Sequence, residues 1–223
     1  MEAQTQIQQD HESVKIYHFS SHEIILSERM EVQDLEPIFS DTWTGSQVWD
    51  AAVDLCSFLA SGQEEEWLPD GQQVVELGAG CGLCGLFAAK MGASVVLTDQ
   101  TELVPLLEAN IQRNPDVADR VIAQNLEWGS STDEITTANI FKYIMVSDCI
   151  NPIYGEESWK KLADTILNLS NKETRVYLVQ TIRGDGSSLL SFLEYIQHHF
   201  EHTLLLSKTD GATNIYKLRL QEG

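Results

Sequence analysis

Basic residues are scarce in this chain: 14 Lys and Arg stand against 34 Asp and Glu in 223 residues, a formal net charge of −20. That charge repels nucleic-acid phosphates and anionic membranes at long range and favours a basic partner. No basic patch breaks the acidic balance, so a nucleic-acid partner is not expected. Long apolar runs are missing too. The uncharged run from Leu77 to Ala89 stops at Lys90, well short of the roughly 18 residues of a membrane span. The opening stretch MEAQTQIQQDHE lacks the basic start and apolar core of a secretory signal, and residues 1–12 read as a polar tail. Cysteine is sparse, at four residues. Cys56, Cys81, Cys84 and Cys149 show no disulfide framework spacing, which predicts buried thiols in a reducing compartment, cytoplasmic and also nuclear. Neither the lone Cys81-x-x-Cys84 pair nor the His198, His199, His202 cluster has the partners that complete a metal site, and no metal is expected.

What is present is an alternation of strand and helix after about residue 48, the signature of a mostly parallel sheet with helices on both faces. Strands are expected at Gln73 to Leu77, Ser94 to Thr98, Arg120 to Gln124, Tyr143 to Ser147 and Arg175 to Thr181. They are short, apolar and β-branched, as strands buried on both faces must be. Helical periodicity falls at Val48 to Ser61, Gly82 to Met91, Glu102 to Asn114, Glu156 to Leu169 and Ser187 to His199. The chain then reads HTLLLSKTDGATNIYKLRL, two strands about an Asp210-Gly211 turn, hence an antiparallel C-terminal hairpin. VKIYHF and EIILSE form a small N-terminal hairpin. The expected organisation is a tail (1–12), a hairpin extension (13–47) and one α/β Rossmann-like domain (48–223) that acts as a monomer.

The segment VVELGAGCGLCGLFAAKMGASVVLTD, Val74 to Asp99, places a glycine-rich turn between a strand and a helix. Such a turn lets a ligand approach backbone amides that side chains would screen. Gly80, Gly82 and Gly85 satisfy the dinucleotide spacing G-x-G-x-x-G, whereas Gly78, Gly80 and Gly82 satisfy G-x-G-x-G. Glu76 separates the two readings. A carboxylate two residues before the first glycine repels a pyrophosphate but suits S-adenosylmethionine, which carries a sulfonium and an ammonium. Asp99, ending the second strand, suits the two hydroxyls of a ribose.

VVELGAGCGLCG followed by VVLTD resembles the first two motifs of class I, seven-strand methyltransferases. Together with TGSQVWDAAVDLCSFL, NLEWG and VSDCI, the chain from about Val14 to Leu220 resembles the family 16 (methyltransferase-like 21 group) protein-lysine methyltransferases. The resemblance implies S-adenosylmethionine as cofactor and a lysine side chain of a protein as acceptor. It implies a cofactor site from Trp49, Glu76, Gly78, Ala79, Gly80, Asp99, Gln100, Leu126, Trp128 and Ser147. Trp128 sits where an indole can cover the adenine, and Trp49 where it can close over the methionine end.

The chain departs from the family at SDCINPIYGEESW. The family follows its fourth strand with Asp-x-x-Tyr, and here Asp148 has Asn151 at that spacing and Tyr154 later. Asn151-Pro152-Ile153-Tyr154 resembles the Asn-Pro-Pro-Tyr of enzymes that methylate glutamine amides or nucleobase amino groups, where Asn and Pro carbonyls accept from the NH2 and the aromatic stacks on its plane. A loop turn is the plainer reading. Asp148 is the candidate that orients the acceptor amine, and Tyr154 a wall of the lysine channel. A non-catalytic module docking on a basic partner and a nicotinamide dehydrogenase are the other readings. The intact Glu76, glycine loop and Asp99 weigh against the first, and Glu76 and the lack of a second domain weigh against the second.

Overall fold

The computed structural model describes residues 14–28, 45–137, 139–208 and 213–221. An antiparallel hairpin, β1 (Val14–Phe19) and β2 (His22–Ser27), stands apart from the main sheet. After helix α1 (Asp50–Ala60) the strands and helices alternate: β3 (Gln73–Leu77), α2 (Leu83–Lys90), β4 (Ser94–Asp99), α3 (Val104–Gln112), β5 (Val121–Asn125), the short α4 (Asp133–Thr136) and β6 (Tyr143–Ser147). α5 (Glu156–Leu169), β7 (Arg175–Thr181), α6 (Ser187–Ile196), β8 (Phe200–Ser207) and β9 (Thr213–Leu220) complete the chain. The seven-stranded sheet runs β5-β4-β3-β6-β7-β9-β8. Five neighbouring strands are parallel, and β9 lies antiparallel to both β7 and β8. This is the seven-strand methyltransferase sheet with its C-terminal hairpin; the expected Asp210-Gly211 turn and the polar tail 1–12 lie outside the described residues.

Successive strand side chains point to opposite faces, and the central strands use both. Val74, Tyr143, Met145, Tyr177 and Val179 join α1, α2 and α3 in one apolar cluster. Val75, Ile144, Val146, Val176 and Leu178 join α5 and α6 in the other. Each fully buried aliphatic side chain of this kind contributes about 1.5–3 kcal/mol of transfer free energy.

The N-terminal hairpin is tied down by α3. Among the described residues no strand lies on the outer edge of β2, and Asn110 of α3 and Asn114 just past its end take that place. Asn114 accepts from Ile25 N–H (3.1 Å) and donates to Ile25 O (2.8 Å). Asn110 accepts from Ser27 N–H (2.7 Å) and donates to Ser27 O (3.1 Å). The Asn110 amide also donates to Cys81 O at 2.9 Å, so the hairpin and the glycine loop share one buried side chain. At the opposite end of the sheet Glu66 receives Arg219 and Lys217 from β9 and lies 3.4 Å from Arg175 of β7. The Arg219 hydrogen bond leads the interactions that hold its carboxyl down at about 2.

Candidate functional site

Strand order reverses at β3, which pairs with β4 on one side and β6 on the other. In open α/β sheets ligands sit beyond the carboxyl ends of the strands at such a switch point. The registers Leu77↔Thr98 and Leu77↔Val146 bring the ends of β3, β4 and β6 level there. Glu76, Asp99, Ser147 and Asp148 are thereby gathered at one crevice of about 580 Å³.

The glycine loop follows β3 directly. Gly78 has φ 61° and Gly80 φ 55°, a left-handed backbone that strains any other side chain. Space is as restrictive as conformation: a Cβ on Gly78 would stand 2.8 Å from Cys149 Sγ and 2.9 Å from the Trp128 ring, and one on Gly80 2.8 Å from Gly45 O. Both carboxylates hold this loop. Asp99 Oδ2 accepts from Gly80 N–H (2.8 Å) and Oδ1 from Gln100 N–H (2.8 Å). Glu76 Oε2 accepts from Gly85 N–H (2.7 Å) in the first turn of α2, where free amides and the helix dipole favour an anion. Glu76 therefore also caps a helix, the bland role open to it from sequence. Burial pushes Glu76 up to about 8 and Asp99 to about 6, against the opposing backbone hydrogen bonds.

On the far side of the crevice Asp148 adopts φ 59°, uncommon for a residue with a Cβ. Its side chain is 3% exposed. Oδ1 accepts from Gln180 Nε2 (2.8 Å), Thr181 N–H (3.2 Å) and Arg183 Nη1 (2.7 Å), and Oδ2 from Arg183 Nη2 (2.5 Å). The acceptor expected to be available to an amine is thus already engaged. Trp49, N-terminal to α1, lies with its ring centroid 5.5 Å from Arg183 Cζ. Tyr154 lines the crevice from the 3-10 turn Pro152–Tyr154. Asn151 does not line it: its Oδ1 accepts from Ile153 N–H at 3.2 Å and caps that turn. This is the loop-turn role open to Asn151 from sequence, beside the expectation that it presents its carbonyl to a substrate NH2.

The crevice is also lined by Trp49, Gly78, Ala79, Gly80, Gln100, Leu126 and Trp128. The structure thus gathers the ten residues expected to hold the cofactor. They suit a ligand with positive charge and hydroxyls. Among the described residues the buried Ser147 Oγ has no hydrogen-bond partner, a polar atom left for a ligand. The two buried carboxylates face the same space, and the loop glycines leave open a cradle that any Cβ would crowd. These features fit S-adenosylmethionine. Glu102, Glu127, Glu157 and Lys161 line the crevice as well and were not singled out from sequence. For Glu157 and Lys161 the four-residue spacing on α5 was the available signal. All four cysteines are free and buried. Among the described residues no group of three His, Cys, Asp or Glu is placed to hold a metal ion.

The family model for lysine methyltransferases (Methyltransf_16) matches residues 37–199. Protein N-lysine methyltransferase METTL21A of Xenopus tropicalis is 31% identical over 95% of this chain and 89% of its own length. EEF1A lysine methyltransferase 3 of Mus musculus is 28% identical over 79% of this chain and 73% of its own. Among solved structures, the ribosomal protein L11 methylase of Lactobacillus delbrueckii subsp. bulgaricus superposes with a TM-score of 0.58 at 17% identity, covering 93% of this chain and 99% of that one, a likeness of fold. Fold, crevice and family match converge: the chain belongs to the S-adenosylmethionine-dependent lysine methyltransferases of family 16.

Proposed function

We propose that the protein methylates the side-chain amine of a lysine set among basic residues of a protein partner. The observation that carries this reading is the acidic lining of the crevice: beside the Arg183-paired Asp148, Glu76, Asp99, Glu102, Glu127 and Glu157 line it against one lysine, Lys161. A cationic cofactor and a cationic acceptor segment both suit such a lining. The engaged carbonyl of Asn151 weighs against a planar amide or nucleobase acceptor, and the net charge of −20 weighs against nucleic acid. EEF1A, named for the mouse relative, is a rational first substrate to test.

When bound, S-adenosylmethionine supplies an electrophilic methyl group on a sulfonium. In this reading Glu76 and Asp99 hold the cofactor's positive charge and ribose, Trp128 and Leu126 cover its adenine, and Gly78, Ala79, Gly80, Gln100, Ser147 and Trp49 complete the contact. The lysine nitrogen must shed a proton before it can attack, since its ordinary pKa of about 10.4 leaves little neutral amine at pH 7. Entry between apolar walls, Tyr154 and Trp49 among them, disfavours the ammonium and releases the proton to solvent. No dedicated strong base is then required, and alignment supplies the rest.

In the same reading the enzyme works as a monomer in the cytoplasm and also the nucleus, with 13–47 an extension of the domain 48–223. The four free, buried thiols support a reducing compartment, and among the described residues no helix is long and apolar enough to cross a membrane. The test is to incubate the protein with tritiated S-adenosylmethionine and a cell lysate, then treat parallel samples with nuclease and with protease. Label lost to protease alone supports the reading. Label lost to nuclease overturns it.

A further inference from the structure

Arg183 lies one layer behind the crevice, yet two residues of the acceptor wall, Asp148 and Trp49, converge on it. Its guanidinium grips both oxygens of Asp148, at 2.7 and 2.5 Å. Its Cζ lies over the Trp49 indole, 5.5 Å from the ring centroid and within the reach of a cation–π contact. Its position follows from the backbone: β7 ends at Thr181, and Gly184 (φ 60°) and Gly186 (φ 76°) turn the chain back into α6. The neighbouring Gln180, 1% exposed, donates to Asp148 and accepts from Ile150 N–H at 2.9 Å, so the end of β7 clamps the segment after β6 on both sides of Asp148. A residue at positive φ persists only where its surroundings over-determine it, and here the restraint comes chiefly from Arg183 and Gln180.

We propose that Arg183 is a positioning residue for methyl transfer: its two-pronged grip on Asp148 and its cation–π contact with Trp49 fix the wall against which the acceptor amine is aligned. The inference rests on the lysine reading above and deepens it. A carboxylate already paired with a guanidinium is close to neutral as a unit and offers an incoming ammonium little net attraction. The wall therefore orients an amine without holding it in its protonated form, which is what attack on a methyl group requires. Lysine cannot replace arginine here, because an ammonium lacks the planar fork that takes both oxygens of Asp148 at once.

The experiment compares Arg183→Gln, Arg183→Lys, Asp148→Asn and the Asp148→Asn/Arg183→Gln pair. S-adenosylmethionine affinity is read by calorimetry and methyl transfer by tritium incorporation into EEF1A or, where that is inert, the lysate protein pool. The expected result for Arg183→Gln is a cofactor Kd within about twofold of the parent and a kcat lower by about tenfold or more. Arg183→Lys is expected to be equally slow. The double variant is expected to lose far less than the product of the two single losses, since Arg183 acts chiefly through Asp148. Should Arg183→Gln fail to fold with its carboxylate left unpaired, the double variant, which removes both charges, and Arg183→Lys decide the matter. Full activity of Arg183→Lys, additive losses in the double variant, or a loss of cofactor binding equal to the loss of turnover each overturns the inference. A parent enzyme that labels no protein lysine overturns the lysine reading and this inference with it, whereas a labelling parent matched by Arg183→Gln overturns this inference alone.

Discussion

Glu76 is 2% exposed and lies near the similarly buried Asp99, and burial raises both carboxyls. A cationic ligand favours their ionised forms, so binding at pH 7 must release protons. We expect S-adenosylmethionine affinity to rise between pH 6 and pH 8, as Asp99, raised to about 6, and Glu76, raised to about 8, ionise in turn. Calorimetry at pH 7 in buffers of different ionisation enthalpy checks this, and buffer-independent heats would contradict it. Asp99→Asn keeps an oxygen for Gly80 N–H but loses the charge; we expect cofactor affinity to fall about 10- to 100-fold with the fold retained, the range for a hydrogen bond to a charged group. The roles available to Glu76 and Asp99 were legible because both flank the glycine loop in the chain. Arg183 was not, because it meets Asp148 across 35 positions, a contact that only the pairing of β6 with β7 creates.

At the scale of elements, Asn110 of α3 and Asn114 just past its end make the hairpin part of the cofactor platform. Asn110→Ala leaves Ser27 N–H and O and the Cys81 carbonyl without their partner, and buried groups left so cost about 1–3 kcal/mol each in the worst case. We expect a urea midpoint shifted by a loss of about 2 kcal/mol or more, with weaker cofactor binding beside it; an unchanged midpoint would show the pair to be dispensable. The sequence pattern anticipated α5 over Glu156–Leu169 from its helical period, and β3, β6 and β7 over their full spans from short apolar runs buried on both faces. Helix ends were less legible. The helix expected from Glu102 begins at Val104 after a 3-10 turn, with Pro105 in its first turn, where a missing N–H is tolerated. The helix expected to reach His199 stops at Ile196, because Phe200 pairs with Leu220 in the sheet. The short α4 was missed: Asp133–Thr136 has one buried apolar residue, Ile135, and no period to read.

For the whole molecule, two sets of carboxyls act at opposite ends of the pH scale. Glu76 has a folded-state value raised from 4.5 to about 8, so the folded chain holds more protons than the unfolded one across that window. Stability of the cofactor-free protein therefore falls as pH rises from 4.5 towards 8. Glu66 has a folded value lowered from 4.5 to about 2, and the stability it contributes is present above 4.5 and lost as pH falls towards 2. Thermal melts across pH should show both slopes, with saturating cofactor removing the upper one; a melt insensitive to pH between 5 and 8 would contradict the first.

The same surplus of negative charge, −20 in total, should make association with a basic protein substrate sensitive to salt. Raising ionic strength is expected to raise KM for that substrate several-fold while the cofactor Kd, set inside the crevice, changes less. The central claim is the chemistry of the acceptor. The direct measurement is complete acid hydrolysis of protein labelled with tritiated S-adenosylmethionine, followed by chromatography against methylated amino-acid standards. We expect the label to elute as methyl-lysine; label recovered as methylamine, as an N-methyl amide releases on hydrolysis, would contradict the account.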